Sequence, residues 1–251
     1  CGGQAPRGIY CDRGREKGLN VAYNMDCMEY MRTLQDKAFD LAVVDPPYGI
    51  GEDGGKDRSR YVTQKNGARI YVKDGGYEKT GFDRFPADER YFAELFRVSK
   101  NQIIWGANYF VLPRGGAIVW DKCNDGADQS GAEIAFNSLN LRTDIFRFMW
   151  RGMMQGKSIA EGTVQQGNKS LNEKRIHPTQ KPVALYTWIL QKCAKTGDKI
   201  LDTHLGSGSS RIAAYDLGFD FVGCEIDPHY FQAQEKRFAE HTAQISLFTG
   251  G

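Results

Sequence analysis

No C-x-x-C pair occurs anywhere in this chain. Its six cysteines, Cys1, Cys11, Cys27, Cys123, Cys193 and Cys224, are scattered singly over 251 residues. Zinc sites draw on closely spaced thiols and imidazoles, so this spacing argues against one and suggests reduced, partly buried thiols. No apolar run approaches the roughly 18 residues that a membrane-spanning helix needs. The opening stretch, CGGQAPRGIYCDRGREKG, has no apolar centre and does not read as a secretory signal, and position 1 is not Met. Internal repeats are absent too, which excludes solenoids and propellers.

What is present is the composition of a soluble globular protein, 41% hydrophobic and 25% charged. The length suits one large domain or two small ones. Net charge is only +2 but is unevenly placed. Residues 51–82 hold seven Lys/Arg against five Asp/Glu, and residues 139–182 hold eight against three. Such segments can bind a polyanion, or can simply be solvated loops.

Strand-like runs alternate with helix-like ones, the pattern of a parallel α/β sheet. The expected strands are 20–24, 39–44, 101–106, 116–121, 133–138, 145–150, 198–203 and 220–226. The expected helices are 26–34, 88–99, 178–196, 208–217 and 228–241. Residues 51–82 and 151–177 fit neither pattern. Rich in Gly, polar and basic residues, they read as long loops or lids.

KILDTHLGSGSSRIAAYDLGFDFVGCEID, from residue 199, is strand, glycine loop, helix, strand and acid. Gly206 and Gly208 let the backbone turn sharply and approach a ligand. Glu225 ends the following strand, where a carboxylate can accept both hydroxyls of a ribose. No G-K-[ST] follows, so the loop is not a Walker loop. Arg211 stands where a dinucleotide loop wants Gly or Ala, which counts against NAD. The remaining common ribose ligand with this geometry is S-adenosylmethionine; the bland alternative is a tight turn.

VVDPPYGIG, residues 43–51, ends an apolar strand in a carboxylate backed by two prolines. An exocyclic base amine is a poor nucleophile, because its lone pair is delocalised into the ring. Two acceptors on its N–H bonds favour a tetrahedral nitrogen and free that lone pair. Asp45 offers a carboxylate and Pro46 a carbonyl held by rigid neighbours. Tyr48 offers a face for an unstacked base. Alone, the motif could be only a turn.

Together these motifs resemble the amino-methylating DNA methyltransferases over residues 20 to 240. In that resemblance Asp45, Pro46, Pro47 and Tyr48 are the catalytic D-P-P-Y. DTHLGSGSS (202–210) is similar to the cofactor loop, which implies cofactor roles for Asp202, His204, Gly206, Ser207, Gly208 and Ser209, with Glu225 and Ile226 beyond them. HPTQKPVAL (177–185) resembles the segment closing over the cofactor's methionine end, which adds His177, Thr179, Gln180 and Lys181. NMDCMEYMRTL (24–34) resembles the segment that brings Asp26, with Cys27, to the cofactor's adenine, and Asp45 also faces the cofactor. The catalytic motif precedes the glycine loop by about 155 positions, an order like that of the beta group. The resemblance implies a single domain over 1–251 with a seven-stranded, mostly parallel, Rossmann-like sheet, helices on both faces and permuted motif order. It also implies S-adenosylmethionine as cofactor, no metal and double-stranded DNA as partner. The aspartate of D-P-P-Y favours adenine N6 over cytosine N4.

The chain departs from the family at Thr203-His204, usually Pro-Phe, and at Ser209, usually Thr. His204 reads as packing beside the loop, and His177 as structural rather than a general base. No Pro-Cys pair indicates the covalent route to 5-methylcytosine. Residues 51–82 and 151–176 are the candidate DNA-recognition or lid insertions. RFMWRGMMQGK (147–157) suits phosphate contacts or the gap left by a flipped base, or else a strand with a core face. WGANYF (105–110) reads as core plus pocket wall. In an expected flexible tail, 242–251, QISLF (Gln244 to Phe248) is similar to the peptide that docks bacterial proteins on the replication sliding clamp. A homodimer stays open, and the implied setting is the cytoplasm of a bacterium, with a bacterial or phage gene.

Overall fold

Leu41 to Val44 and Ile103 to Trp105 have no polar face, and all are buried to within 1% exposure. Strands of this kind need cover on both sides. A computed structural model describes residues 18–55, 59–63, 66–72, 76–77, 80–81, 83–125 and 130–248. Cys1, Cys11, the N-terminal stretch and residues 249–251 of the expected tail lie outside these.

The chain begins with β1 (Asn20–Asn24), α1 (Cys27–Arg32) and β2 (Phe39–Val44), then a hairpin of β3 (Arg60–Thr63) and β4 (Arg69–Val72). Next come α2 (Glu89–Val98), β5 (Ser99–Trp105), β6 (Gly116–Asp121), β7 (Ala132–Asn137) and β8 (Thr143–Arg147). A short hairpin of β9 (Trp150–Arg151) and β10 (Met154–Gln155) leads to α3 (Val183–Cys193). Then follow β11 (Lys199–Asp202), α4 (Ser209–Leu217), β12 (Asp220–Glu225) and α5 (Pro228–Phe248).

Eight strands form the main sheet in the order β1-β12-β11-β2-β5-β7-β6-β8. Neighbours are parallel except at β7, which runs antiparallel to β5 and β6. Seven strands were expected from the resemblance; the sheet has eight, one for each apolar run. The edge strand β8 joins by pairing with β6, and buries Phe146 while Ile145 stays exposed.

Alternation along β2 divides the core. Leu41 and Val43 meet Leu185, Ile189 and Ala213 of α3 and α4 on one face. Ala42 and Val44 meet Met31, Tyr91 and Leu95 of α1 and α2 on the other. Helix α2 starts where the Asp88 carboxylate accepts the Tyr91 N–H at 3.0 Å. It buries Tyr91, Phe92, Leu95 and Val98, one helical stripe. Leu95→Ala at this fully buried position would cost about 2–5 kcal/mol.

Two helix boundaries differ from the sequence pattern. Helix α3 begins at Val183 rather than 178, with Pro182 as its N-cap, because Pro178 and Pro182 hold the residues before them out of helical geometry. Helix α5 continues through Phe248, so residues 242–248, Gln244 included, are helical rather than a flexible tail. Between His241 and Phe248 no Gly or Pro stops it. The segment 51–82, expected as loop, contains the β3–β4 hairpin.

The carboxyl ends of β2, β11 and β12 share one rim of the sheet. Because β7 runs the opposite way, its first residues, Ala132 and Glu133, arrive at that same rim.

Candidate active site

The rim has two lips. The first is built after β11. Gly206 and Gly208 take left-handed backbone angles, φ 50° and 72°, which side chains disfavour. A Cβ on Gly208 would come within 3.1 Å of Gln234 Oε1. The turn delivers the Gly206 N–H to Glu225 Oε2 at 2.8 Å, while Asp227 N–H donates to Oε1 at 2.9 Å. Burial raises the Glu225 carboxyl above its ordinary range despite those donors. Asp202 lies beneath, accepting from Ser210 Oγ at 2.5 Å and His204 N–H at 3.0 Å. Burial pushes its carboxyl up to about 7. Asp26 caps α1, accepting from Met28 N–H at 2.6 Å and Glu29 N–H at 3.4 Å. Burial, then the Asp26 charge, pushes the Cys27 thiol up to about 12, so it stays protonated at neutral pH.

Both histidines here are neutral at neutral pH. Burial, then Lys181, pulls His177 down to about 3, and its ring packs on Tyr230 at 4.3 Å. Burial pulls His204 down to about 4. His204 Nδ1 lies 3.0 Å from Thr203 Oγ1, which is itself 2.6 Å from the Tyr91 hydroxyl.

The second lip is built after β2. Asp45 Oδ1 accepts from the Tyr48 hydroxyl at 2.5 Å, and Oδ2 accepts from Lys181 Nζ at 2.5 Å. Lys181 also lies 3.1 Å from Glu133 Oε2, and Lys122 meets Glu133 Oε1 at 2.5 Å. Burial disfavours the ammonium of Lys181, but Asp45 and Glu133 outweigh it and raise its pKa. Burial likewise opposes the Glu133 carboxylate, but Lys181 and Lys122 outweigh it and hold the group down at about 2. Charges thus alternate along Lys122, Glu133, Lys181 and Asp45. Lys181, expected at the cofactor, stands on Asp45.

The D-P-P-Y turn is anchored by a residue the sequence did not flag. Asp83, 3% exposed, accepts N–H groups from Tyr48 at 2.7 Å, Gly49 at 2.8 Å and Glu52 at 2.8 Å. Ala87 N–H donates to the Pro47 carbonyl at 3.1 Å. Tyr109 stacks on Tyr48 with centroids 4.8 Å apart and planes 13° off parallel. A Cβ at Gly106 would sit 2.2 Å from Tyr48 Cε1, so only glycine fits there.

One cavity of 1210 Å³ joins the lips and is lined by Asp26, Asp45, Tyr48, Lys181, Gly206 and Glu225. Pro46, Pro47, Cys27, Thr179, Gln180 and Ile226 share its wall, as do His177, His204 and Ser207. Asp202, Gly208 and Ser209 stand behind the loop and shape it. Ser209 Oγ, for example, is 2.9 Å from Arg237 Nη1 and 3.1 Å from Ser207 Oγ.

Residues 119–236 match the N6/N4 family model described as DNA methylase. The chain is similar to the type II methyltransferase M.HinfI of Haemophilus influenzae, 23% identical over 88% of this chain and 69% of that protein. It is also similar to M2.MboI of Moraxella bovis, 24% identical over 90% of each. The fold resembles that of the solved PvuII DNA methyltransferase, described as cytosine-N4-specific, at TM-score 0.51 and 12% identity, covering 91% of this chain and 93% of that one.

The matched segment holds the glycine loop and HPTQKP, while Asp45 precedes it and joins the site through the pairing of β2 with β11. Arg211 binds α4 to its neighbours, donating to Asn20 Oδ1 at 2.8 Å and Gln234 Oε1 at 3.0 Å. In RFMWRGMMQGK, Phe148 and Trp150 are buried and Arg147 and Arg151 exposed, so the alternation is that of a strand with a core face. Trp105 is core, and Gly106, Asn108 and Tyr109 are cavity wall, as WGANYF suggested.

Proposed function

We propose that this protein transfers a methyl group from S-adenosylmethionine to the N6 amine of an adenine flipped out of double-stranded DNA at a specific sequence. The observation that carries this reading is that Asp45 and the Gly206 turn follow adjacent parallel strands and open into one cavity. In parallel α/β sheets, ligands bind outside the carboxyl ends of the strands.

The residues present fit the cofactor. Glu225 ends β12 and lines the cavity where ribose hydroxyls would sit, Ile226 is 61% exposed beside it as an apolar face, and the Gly206 turn admits close approach. When bound, S-adenosylmethionine supplies an electrophilic methyl on a sulfonium. Asp45 and the Pro46 carbonyl would accept the two N–H bonds of the amine and free its lone pair to form the new N–C bond, as the S–CH3 bond breaks and leaves its electron pair on sulfur. The amine then sheds one proton to water. Flipping costs a few kcal/mol, which phosphate contacts from the basic segments 51–82 and 151–176 would offset. A base stacked on the Tyr48 face now covered by Tyr109 takes the place of that ring, because 4.8 Å leaves no room between them.

The aspartate of D-P-P-Y supports adenine. Single-molecule sequencing of DNA from a methylation-free host expressing the chain tests this. Methyl on N6 of adenine at a recurring site is expected; methyl on N4 of cytosine, or only on RNA or protein, would replace this reading. Clamp docking through Gln244–Phe248 is a separate proposal. Deleting 244–248 should abolish clamp pull-down and spare methylation of short duplexes, and retained pull-down would remove it.

A further inference from the structure

We propose that Lys181 is a positioning residue for Asp45, fixed in turn by Glu133 and Lys122, and not a cofactor contact. This rests on the reading of Asp45 as the acceptor for the base amine.

An ammonium has three N–H donors and no acceptor. Lys181 Nζ donates to Asp45 Oδ2 at 2.5 Å and to the Tyr48 hydroxyl at 3.3 Å, and pairs in charge with Glu133 Oε2 at 3.1 Å. Two of its N–H groups are thus committed to the D-P-P-Y turn, and its charge is shared between Asp45 and Glu133. The side chain is 3% exposed and lies 5.5 Å from the Trp105 ring centroid and 5.7 Å from that of Tyr48. Its Nζ therefore cannot swing away cheaply. Asp45 meanwhile keeps one lone pair on each oxygen, because a carboxylate offers about four acceptor sites and Tyr48 and Lys181 use two.

Glu133 explains why the lysine does not disable this acceptor. A lysine paired with Asp45 alone would concentrate its full charge there. Glu133 shares it, and Lys122 keeps Glu133 ionised. The other titratable groups around Asp45 are Tyr48 on its own turn, Tyr91 of α2, Asp202 at the end of β11, His177 before α3 and Tyr186 of α3.

The test is K181M, with E133Q and the double variant, in steady-state methylation of a cognate duplex with S-adenosylmethionine varied, and in calorimetric titration with the cofactor. K181M is expected to lower kcat roughly 10- to 100-fold, as for a lost charged hydrogen bond. Its KM and Kd for the cofactor should stay within about twofold. With the cation gone, two carboxylates face each other, so the acid limb of the pH–rate profile moves to higher pH. E133Q alone should move that limb the other way. Added to K181M it should restore part of kcat and return the limb, since it removes the repulsion. If K181M raises the cofactor KM and reaches wild-type kcat at saturation, or if the double variant is no better than K181M, the proposal is overturned. If K181M does not fold, the double variant, free of the uncompensated charge, still gives the split. Carbon-13 NMR of the Asp45 carboxyl in wild type, K181M and E133Q reads the coupling without turnover. A wild-type protein that leaves DNA unmethylated therefore overturns the activity alone, while an Asp45 signal indifferent to residue 181 overturns this inference alone.

Discussion

The two lips of the cavity hold their carboxylates in opposite ways. Along the glycine-loop lip, Asp26, Asp202 and Glu225 are met by backbone N–H groups and a hydroxyl, with no cation among these partners. Burial then dominates and raises Asp202 and Glu225. Along the D-P-P-Y lip, Asp45 and Glu133 are met by lysines, and Glu133 is held down at about 2 although desolvation opposes its charge. Burial is common to both lips; the difference is the partner. In the function proposed above, neutral donors orient Glu225 for ribose hydroxyls that are themselves neutral. In that same proposal, Asp45, which accepts the N–H bonds of the amine, has a cation for its partner.

The largest expected effect tests the charged lip. Asp45→Ala should lower kcat by at least roughly 10²–10³-fold, with cofactor Kd little changed by calorimetry. A variant that still turns over would remove Asp45 from the reaction. Next is the neutral lip. Glu225→Ala should weaken cofactor binding roughly 10- to 100-fold and leave kcat at saturation less affected, the reverse of the Asp45 pattern. If both variants act on kcat alone, the division of labour between the lips fails.

Asp83→Ala sharpens the comparison by loosening the D-P-P-Y turn while leaving Asp45, Glu133 and the glycine-loop lip in place. Three buried N–H groups lose their acceptor, so chemical denaturation should show a loss of about 1–3 kcal/mol or more, with kcat falling and cofactor affinity retained.

The smallest effects are in the pH dependence of stability, where the neutral lip contains two opposed groups. His204 titrates at about 4 when folded, against an ordinary 6.5. Its stability contribution is complete above about 6.5 and is lost as pH falls toward 4. Asp202 titrates at about 7 when folded, against an ordinary 3.8. Its contribution is complete below about 3.8 and is lost as pH rises through 7. Melting curves should therefore show His204→Asn losing less than wild type on acidification from pH 7 to 5. Asp202→Asn should lose less than wild type between pH 5 and 8. Parallel curves for all three proteins would show that neither group is coupled to folding.

Much of this site was legible before any coordinates, and for a common reason. Asp45, Tyr48, Gly206 and Glu225 sit at the ends of apolar runs, where a parallel sheet presents its ligand-binding rim. The turn residues Pro46, Pro47, Gly206 and Gly208 write their backbone geometry directly into the sequence. Asp83, Lys122 and Glu133 carry no such mark, and WGANYF marked Gly106 and Tyr109 only as pocket wall. Asp83 acts on a turn 34 or 35 positions away, and Gly106 matters only because the Tyr48 ring passes beside it. Glu133 looks like the polar head of an ordinary strand, and reaches the rim only because β7 runs backwards.

The sequence by itself determined the elements, the alternation of strand and helix, and the two turns that bear the chemistry, since periodicity, glycine and proline act locally. Tertiary structure decided the direction of β7, the eighth strand, the length of α5 and the partner of Lys181. These depend on which groups meet across more than a hundred residues of chain, as Lys181 and Asp45 do at a separation of 136. A buried ammonium goes to the carboxylates that surround it, whatever motif it belongs to.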